Sequence, residues 1–463
     1  MAFSRAALED DKIRDRSNFM NTFLRGFAVV TGAGAIAALF MFVSFRLMTD
    51  GFTATVLSVS DTIGEIATPI PPQKTKEDLI REALEKSSNI KGLYMTADVA
   101  SDPGAGAARI RNSIIKIAEE TEINGIVIDV KEVCGADFNE KMIKNLLEEL
   151  RKKNIWAIAR VVVMKDASQI EMHPEWYLKR SVQKQVGDSC ARKRHLMIKN
   201  PKGAPKIIYW RDDKGGYWLD PASEGARQYN VDFSKKMIDL GFDELQFDYV
   251  RFPSDGDVEK AMYPAWDGKT PKYAVMKSFF EFLHDTLKSY KPDIILSADL
   301  FGYAAVREGD VGIGQRLEDV GNNFDYISFM VYPSHYYSGF YLPADLVNNL
   351  PSVNLNANQS RAHPDIIVAR SLKFARDFLE GRGLNMATSS ATTTTEVTIE
   401  QKSKARLRPW LEDFFHETDK AAKRPYGIQK VRMQIDASEQ TENHGWLIWN
   451  AANIYTEGAL KEE

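Results

Sequence analysis

The sequence predicts an α/β fold, a (β/α)8 TIM barrel with insertions, preceded by a single N-terminal transmembrane helix. Three observations predict it. From residue 91 onward, short β-branched runs alternate with stretches of helical apolar spacing, the pattern of parallel β/α units. Several of those runs end in Asp, and in this barrel functional residues stand at the C-terminal strand ends. Close to the N-terminus, residues 26–45 carry no charge at all.

The tail, residues 1–25, holds Lys12, Arg14, Arg16 and Arg25. The 20 residues of 26–45 that follow are rich in Ala, Val, Phe and Gly. At ~1.5 Å per residue they just span a ~30 Å hydrocarbon core. A soluble helix would show a polar stripe, which this run lacks. A cleaved signal peptide is the nearer rival, but its apolar region is only ~7–15 residues long. Only Arg46 lies close on the far side. The Lys/Arg bias therefore places the tail in the cytoplasm and the rest of the chain outside it, on the cell membrane. Residues 46–90 read as an extracytoplasmic stalk, Thr/Ser-rich and then stiffened by Pro69-Ile70-Pro71-Pro72.

The barrel is expected over residues 91–463. Gly92-Leu93-Tyr94-Met95 is a first strand, followed by a helix with Ile110, Ile114, Ile117 and Ala118 on one face. Gly125–Val130 and Trp156–Val163 are the next strands, separated by a helix carrying Ile143, Leu146, Leu147 and Leu150. A helix with Phe233, Met237 and Leu240 leads into the strand Glu244–Val250. Another, with Val275, Phe279, Leu283 and Leu287, leads into Ile294–Asp299. Strands at Asp325–Tyr332 and Gly445–Asn450, with a weak one at Arg408–Leu411, complete eight units. Two insertions interrupt them. Residues 164–220 contain a predicted hairpin, Ile207–Trp210 turning at Lys214-Gly215-Gly216 into Tyr217–Leu219. Residues 385–404 form a Thr/Ser-rich loop. A doubly wound open sheet is the second fold reading, but no GxGxxG follows the first strand.

Composition excludes other classes. With 463 residues, 44% hydrophobic, 27% charged and a net charge of −4, the chain is globular and lacks the broad basic surface of a nucleic-acid binder. Cys134 and Cys190 are too few for a disulfide scaffold or a four-ligand zinc site. They form either one disulfide or two buried thiols, and since nothing in their spacing favours a bond, the reading is two thiols. The 7 histidines show no HExxH spacing, so no metal and no cofactor is expected.

Side-chain alternation selects the candidate site. On Glu244–Val250, Gln246 and Asp248 share one face while apolar Leu245 and Phe247 share the other. The apolar face belongs against the helices, which turns Asp248 inward. Ser297 with Asp299, Ser328 with Tyr332, and Val127 with Asp129 and Lys131 repeat the pattern. Burying unpaired carboxylates costs several kcal/mol, so several converging on one barrel mouth imply use. Paired carboxylates are what cleavage of a glycosidic bond needs: one protonates the leaving oxygen, the other attacks or activates water. Asp248 and Asp299 are the catalytic candidates. Arg251 is read as the cation holding Asp248 ionised. Asp129, Lys131, Arg251, Tyr332, His335, Trp410, Asp413 and Trp449 are the substrate-binding candidates, the aromatic rings suiting sugar faces.

The motifs Gly92-Leu93-Tyr94, Ile128-Asp129-Val130-Lys131, Trp218-Leu219-Asp220-Pro221, Gln246–Pro253, Ser297-Ala298-Asp299-Leu300-Phe301-Gly302 and Met330–Tyr336 occur in this order. The combination resembles a bacterial family of barrel proteins described as putative glycosyl hydrolases. The resemblance covers residues 90–457 and implies a TIM barrel with a glycoside hydrolase-like site. Arg408–Phe414 resembles the family's seventh-strand motif. That motif more often has Gln where Glu412 stands, which makes Asp413 the better candidate there. Two functions are carried forward. The first is a membrane-anchored glycosidase acting on extracellular or cell-wall polysaccharide. The second is a non-catalytic carbohydrate-binding or envelope scaffold that keeps the barrel without turnover.

Overall fold

A computed structural model describes residues 74–181, 187–191, 208–346, 348–382, 403–414 and 427–462. The expected tail and membrane span, residues 46–73 of the stalk and most of the 385–404 loop lie outside the described residues. Among the described residues no helix is long and apolar enough to cross a membrane.

The strands are β1 (Ile90–Met95), β2 (Gly125–Lys131), β3 (Trp156–Val162), β4 (Glu244–Asp248), β5 (Ile295–Phe301), β6 (Tyr326–Met330), β7 (Phe340–Leu342), β8 (Val353–Leu355), β9 (Arg406–Leu407), β10 (Trp410–Glu412) and β11 (Gly445–Trp449). All except the β7–β8 hairpin pair in parallel, in the order β10-β11-β1-β2-β3-β4-β5-β6-β9, and β10 also pairs with β6 through Trp410 and Met330. The sheet therefore closes. The seventh of its eight positions is split into β9 and β10 around Pro409, which has no N–H to give a ladder. Its carbonyl still accepts from the Leu447 N–H, at 2.8 Å.

Alternation along β4 matches the expected pattern. Leu245 and Phe247 join the apolar layer between barrel and helices, while Glu244, Gln246 and Asp248 enter the barrel. Its interior is stacked in polar layers. At the bottom, Arg408 donates to both oxygens of Glu244, at 3.0 and 2.9 Å, beside the Ser297 hydroxyl and the Trp156 indole. Above lies Gln246, donating to Ser328 at 3.1 Å. A small apolar cluster that includes Tyr94, Val127, Ile158, Tyr332 and Trp410 fills the space around them.

Three expectations are corrected. The segment 76–90 is not stalk: Lys76–Lys86 is a helix started by a Thr75–Asp78 capping box. Its end docks on the barrel through Ser87, whose carbonyl accepts from Tyr326 and Arg408. Next, the described end of the predicted hairpin pairs only at Arg211 and Tyr217. Beyond that its arms part, Tyr209 to Lys179 and Leu219 to Tyr177, because residues 177–180 lie between them and use their free backbone groups. Finally, Cys134 and Cys190 are bonded. The loop after β2 and the insertion, 56 residues apart in sequence, are brought together by the fold, a proximity that spacing does not encode.

Candidate active site

Four charged side chains meet inside the barrel at the C-terminal ends of β2 to β5. Asp129 of β2 is level with Arg160 of β3, and Val162 of β3 with Asp248 of β4. Phe247 is level with Ala298, so the next residues, Asp248 and Asp299, come side by side. Arg160 lies among the three carboxylates. Nη1 reaches Asp129 at 2.5 Å, Nη2 pairs with Asp248, and Nε is 3.6 Å from Asp299. The Tyr94 hydroxyl also donates to Asp129, and the Trp410 indole N–H to Asp299 at 2.8 Å. The guanidinium lies 5.0 Å from the Trp449 ring.

Three carboxylates on one guanidinium leave surplus negative charge, and the environments separate them. Burial, which disfavours the charged form, raises Asp129 to about 6, with Arg160 and Tyr94 pulling the other way. Burial and then the neighbouring Asp248 charge push Asp299 well above the usual carboxylate range. In Asp299, 1% exposed, these causes favour the protonated form, while Asp248 is bound to Arg160 and accepts from the Tyr249 N–H at 2.5 Å. Tyr249 itself has φ of 52°, a left-handed conformation costly for an aromatic residue and common at functional turns.

Outward from Asp248 opens a cleft of about 390 Å³ lined by Tyr249, Arg251, Phe301, Gly302, Tyr303, Met330, Tyr332, His335, Tyr336 and Tyr337. Gly302 is required there, since a Cβ would lie 2.6 Å from the Met330 carbonyl and 2.7 Å from the Tyr336 hydroxyl. Polar groups and flat rings around one carboxylate make a chemistry fit for a sugar. Among the described residues no group of His, Cys, Asp and Glu is arranged to hold a metal ion.

Residues 92–455 match the model of the family described as "Putative glycosyl hydrolase domain". The chain belongs to this family. No curated protein matches the sequence. Among solved structures, a hypothetical protein from Ruminiclostridium thermocellum is 25% identical, with 45% of this chain and 96% of that chain covered and a TM-score of 0.33. Amy13B of Eubacterium rectale is 12% identical, with 79% and 66% covered and a TM-score of 0.42. The trehalose-6-phosphate hydrolase of Bacillus licheniformis is 12% identical, with 78% and 64% covered and a TM-score of 0.42. The chain spans only about half, 54% and 50%, of two further chains. At these TM-scores the likenesses bear on neither chemistry nor substrate.

Within this glycosyl hydrolase-like barrel the predicted residues divide. Asp129, Asp248, Asp299, Trp410 and Trp449 meet around Arg160, while Arg251, Tyr332 and His335 line the cleft with Asp248. Three readings are corrected. Lys131 does not share the inner face of Asp129, because the β2–β3 register shifts between them. That irregularity turns Lys131 outward, 0% exposed, onto Asp166 at 2.9 Å and Asn230 at 2.8 Å. Arg251 is not the counter-ion of Asp248, a place taken by Arg160. Asp413 is committed to Thr456, accepting from its N–H and hydroxyl at 2.7 Å each. On that strand Glu412 shares the inner side of Trp410 and accepts from the Ser334 N–H and hydroxyl. Sequence reading missed Arg160 and Tyr94 and set Glu412 behind Asp413. A signal for Arg160 existed: an arginine inside an otherwise apolar strand must meet buried carboxylates.

Proposed function

We propose that the protein is a glycoside hydrolase cleaving extracellular or cell-wall polysaccharide, anchored to the cell membrane by residues 26–45 with its barrel outside the cytoplasm. The observation carrying the reading is the adjacent pair Asp248 and Asp299 in unlike environments. Asp299, whose protonated form is favoured by burial and by its neighbour's charge, is the acid that gives its proton to the glycosidic oxygen. Asp248, at the cleft and paired with Arg160, is the carboxylate that attacks the anomeric carbon or takes a proton from water. Rings such as Tyr332 and Tyr337 offer faces to the sugar. The Cys134–Cys190 bond supports an oxidising compartment, where such bonds persist. An acid that must be protonated also fixes a sign: turnover is lost as pH rises through the raised pKa of Asp299.

A non-catalytic carbohydrate-binding or envelope scaffold is the second reading. It is favoured by the burial of Asp129 and Asp299, each 1% exposed and already bonded to protein groups. Chromogenic glycosides and wall polysaccharides assayed with wild type and Asp248→Asn separate the two. A glycosidase loses on the order of 10²–10⁴-fold in turnover in the variant. Binding without turnover on every substrate, unchanged in the variant, supports the scaffold.

A further inference from the structure

Arg251 follows β4 by three residues and is 5% exposed. A buried guanidinium is costly unless a negative charge compensates it. The other arginines inside the barrel obey this rule: Arg160 is shared among three aspartates and Arg408 grips Glu244. Arg251 does not. Among the described residues it has no ion pair. Its two hydrogen bonds both leave Nη1, one to the Phe252 carbonyl at 2.9 Å and one to the Ser254 hydroxyl at 3.2 Å. Among the described residues no hydrogen bond leaves Nε or Nη2. The rings of Phe301, Trp218 and Tyr249 stand 4.3, 4.9 and 5.2 Å from the guanidinium carbon. They fix the plane of the group and supply only weak compensation.

The side chain lines the same cleft as Asp248. Asp248, Asp255 and Asp212 act on it through space, yet none of them forms an ion pair or hydrogen bond with it. A direct anionic partner is therefore left to whatever fills the cleft that Arg251 lines. A planar fork with its Nε–Nη2 edge unused matches a planar carboxylate, which takes two parallel N–H bonds, whereas an ammonium would not.

We propose that Arg251 is a specificity-determining residue that binds the carboxylate of a uronic acid unit, so that the substrate is an acidic polysaccharide. This rests on the glycoside hydrolase reading above and adds the class of sugar to it. The rings around the guanidinium hold it in place before the sugar arrives, so little ordering is left to the moment of binding.

The test uses an array of neutral oligosaccharides, uronate oligosaccharides, the methyl esters of those uronates and sulfated neutral oligosaccharides. Binding is measured to the full-length protein in detergent. Wild type should hold the free acids at least tenfold more tightly than their methyl esters, which differ only in charge. In Arg251→Gln that preference should fall to about one, and in Arg251→Lys, which keeps the charge without the fork, to an intermediate value. Melting curves of both variants accompany the titrations. If Gln does not fold, the Lys variant alone decides: an undiminished acid preference overturns the assignment. Equal or better binding of neutral sugars overturns it, as does an equal loss of acid and ester binding in Arg251→Gln, which marks a structural role. Preference for the sulfated arm replaces the carboxylate with a tetrahedral anion. Binding of no sugar at all removes the glycosidase reading itself, a failure distinct from the others.

Discussion

Arg160 shares one guanidinium among Asp129, Asp248 and Asp299, and opposite consequences follow from removing either sign of charge. Arg160→Met keeps the bulk but leaves three buried carboxylates without their cation. Breaking a buried pair from one side costs about 3–5 kcal/mol, so urea unfolding should detect a loss of that order. Asp248→Asn instead relieves surplus negative charge and keeps an oxygen for the Tyr249 N–H, so it should melt at or above wild type. A wild-type melting curve for Arg160→Met would show that the cluster is already neutral. Asp129 adds a pH dependence. Its carboxyl, raised to about 6 in the fold from ~3.9 in the unfolded chain, binds more protons when folded over that interval. Its stabilisation is full below pH ~4 and is lost as pH rises through about 6. Asp129→Asn should flatten that fall, by on the order of 3 kcal/mol, in urea titrations at pH 4, 5, 6 and 7. Equal slopes in variant and wild type would exclude the shift. Legibility at this scale followed face assignment: Asp248 and Asp299 could be placed by alternation on regular strands. Lys131 could not, because one irregular register step reversed its side.

Elements were readable where a helix buries one face continuously or a strand buries both, as in Gly125–Lys131 with all seven residues buried. The seventh strand was weak in sequence because Pro409 divides it into two- and three-residue pieces, each too short to show a period. Long-range tethers were not readable at all. The Cys134–Cys190 bond joins the loop after β2 to the insertion, and Lys165–Asp212 at 2.8 Å adds an ion pair at the insertion's base. Closing a 56-residue separation should stabilise the fold by about 2–4 kcal/mol. Cys134→Ser with Cys190→Ser should lower the urea midpoint accordingly while the unfolding slope changes little. An unchanged midpoint would mean that backbone pairing of residues 177–180 with 208–219 and with Met262 holds the insertion by itself.

At the scale of the whole molecule, the apolar run 26–45 and the Lys/Arg bias before it predict a barrel on the far side of the membrane. Protease added to intact cells should release a fragment of about the size of residues 73–463, the extent of the compact barrel unit. Alkaline carbonate should leave the uncut chain in the membrane fraction. Full protection of the chain in intact cells, with the protein in the cytosolic fraction, would overturn the placement. The same experiment bears on the disulfide, which a reducing cytosol would not sustain.

By itself the sequence determined the barrel, because parallel strands buried on both faces and helices with one apolar side write their periods directly into the residue order. It also determined which strands bring acids to the mouth. Tertiary structure decided what those acids do to one another. That Arg160 rather than Arg251 pairs with Asp248 and that Lys131 leaves the inner face depend on lateral register between strands, while the Asp413–Thr456 contact and the place of Arg251 beside the cleft depend on the loops after the strands. That register is set by cross-strand hydrogen bonds and by a single irregular step, and pairings across a closed sheet leave no mark in the spacing of one strand.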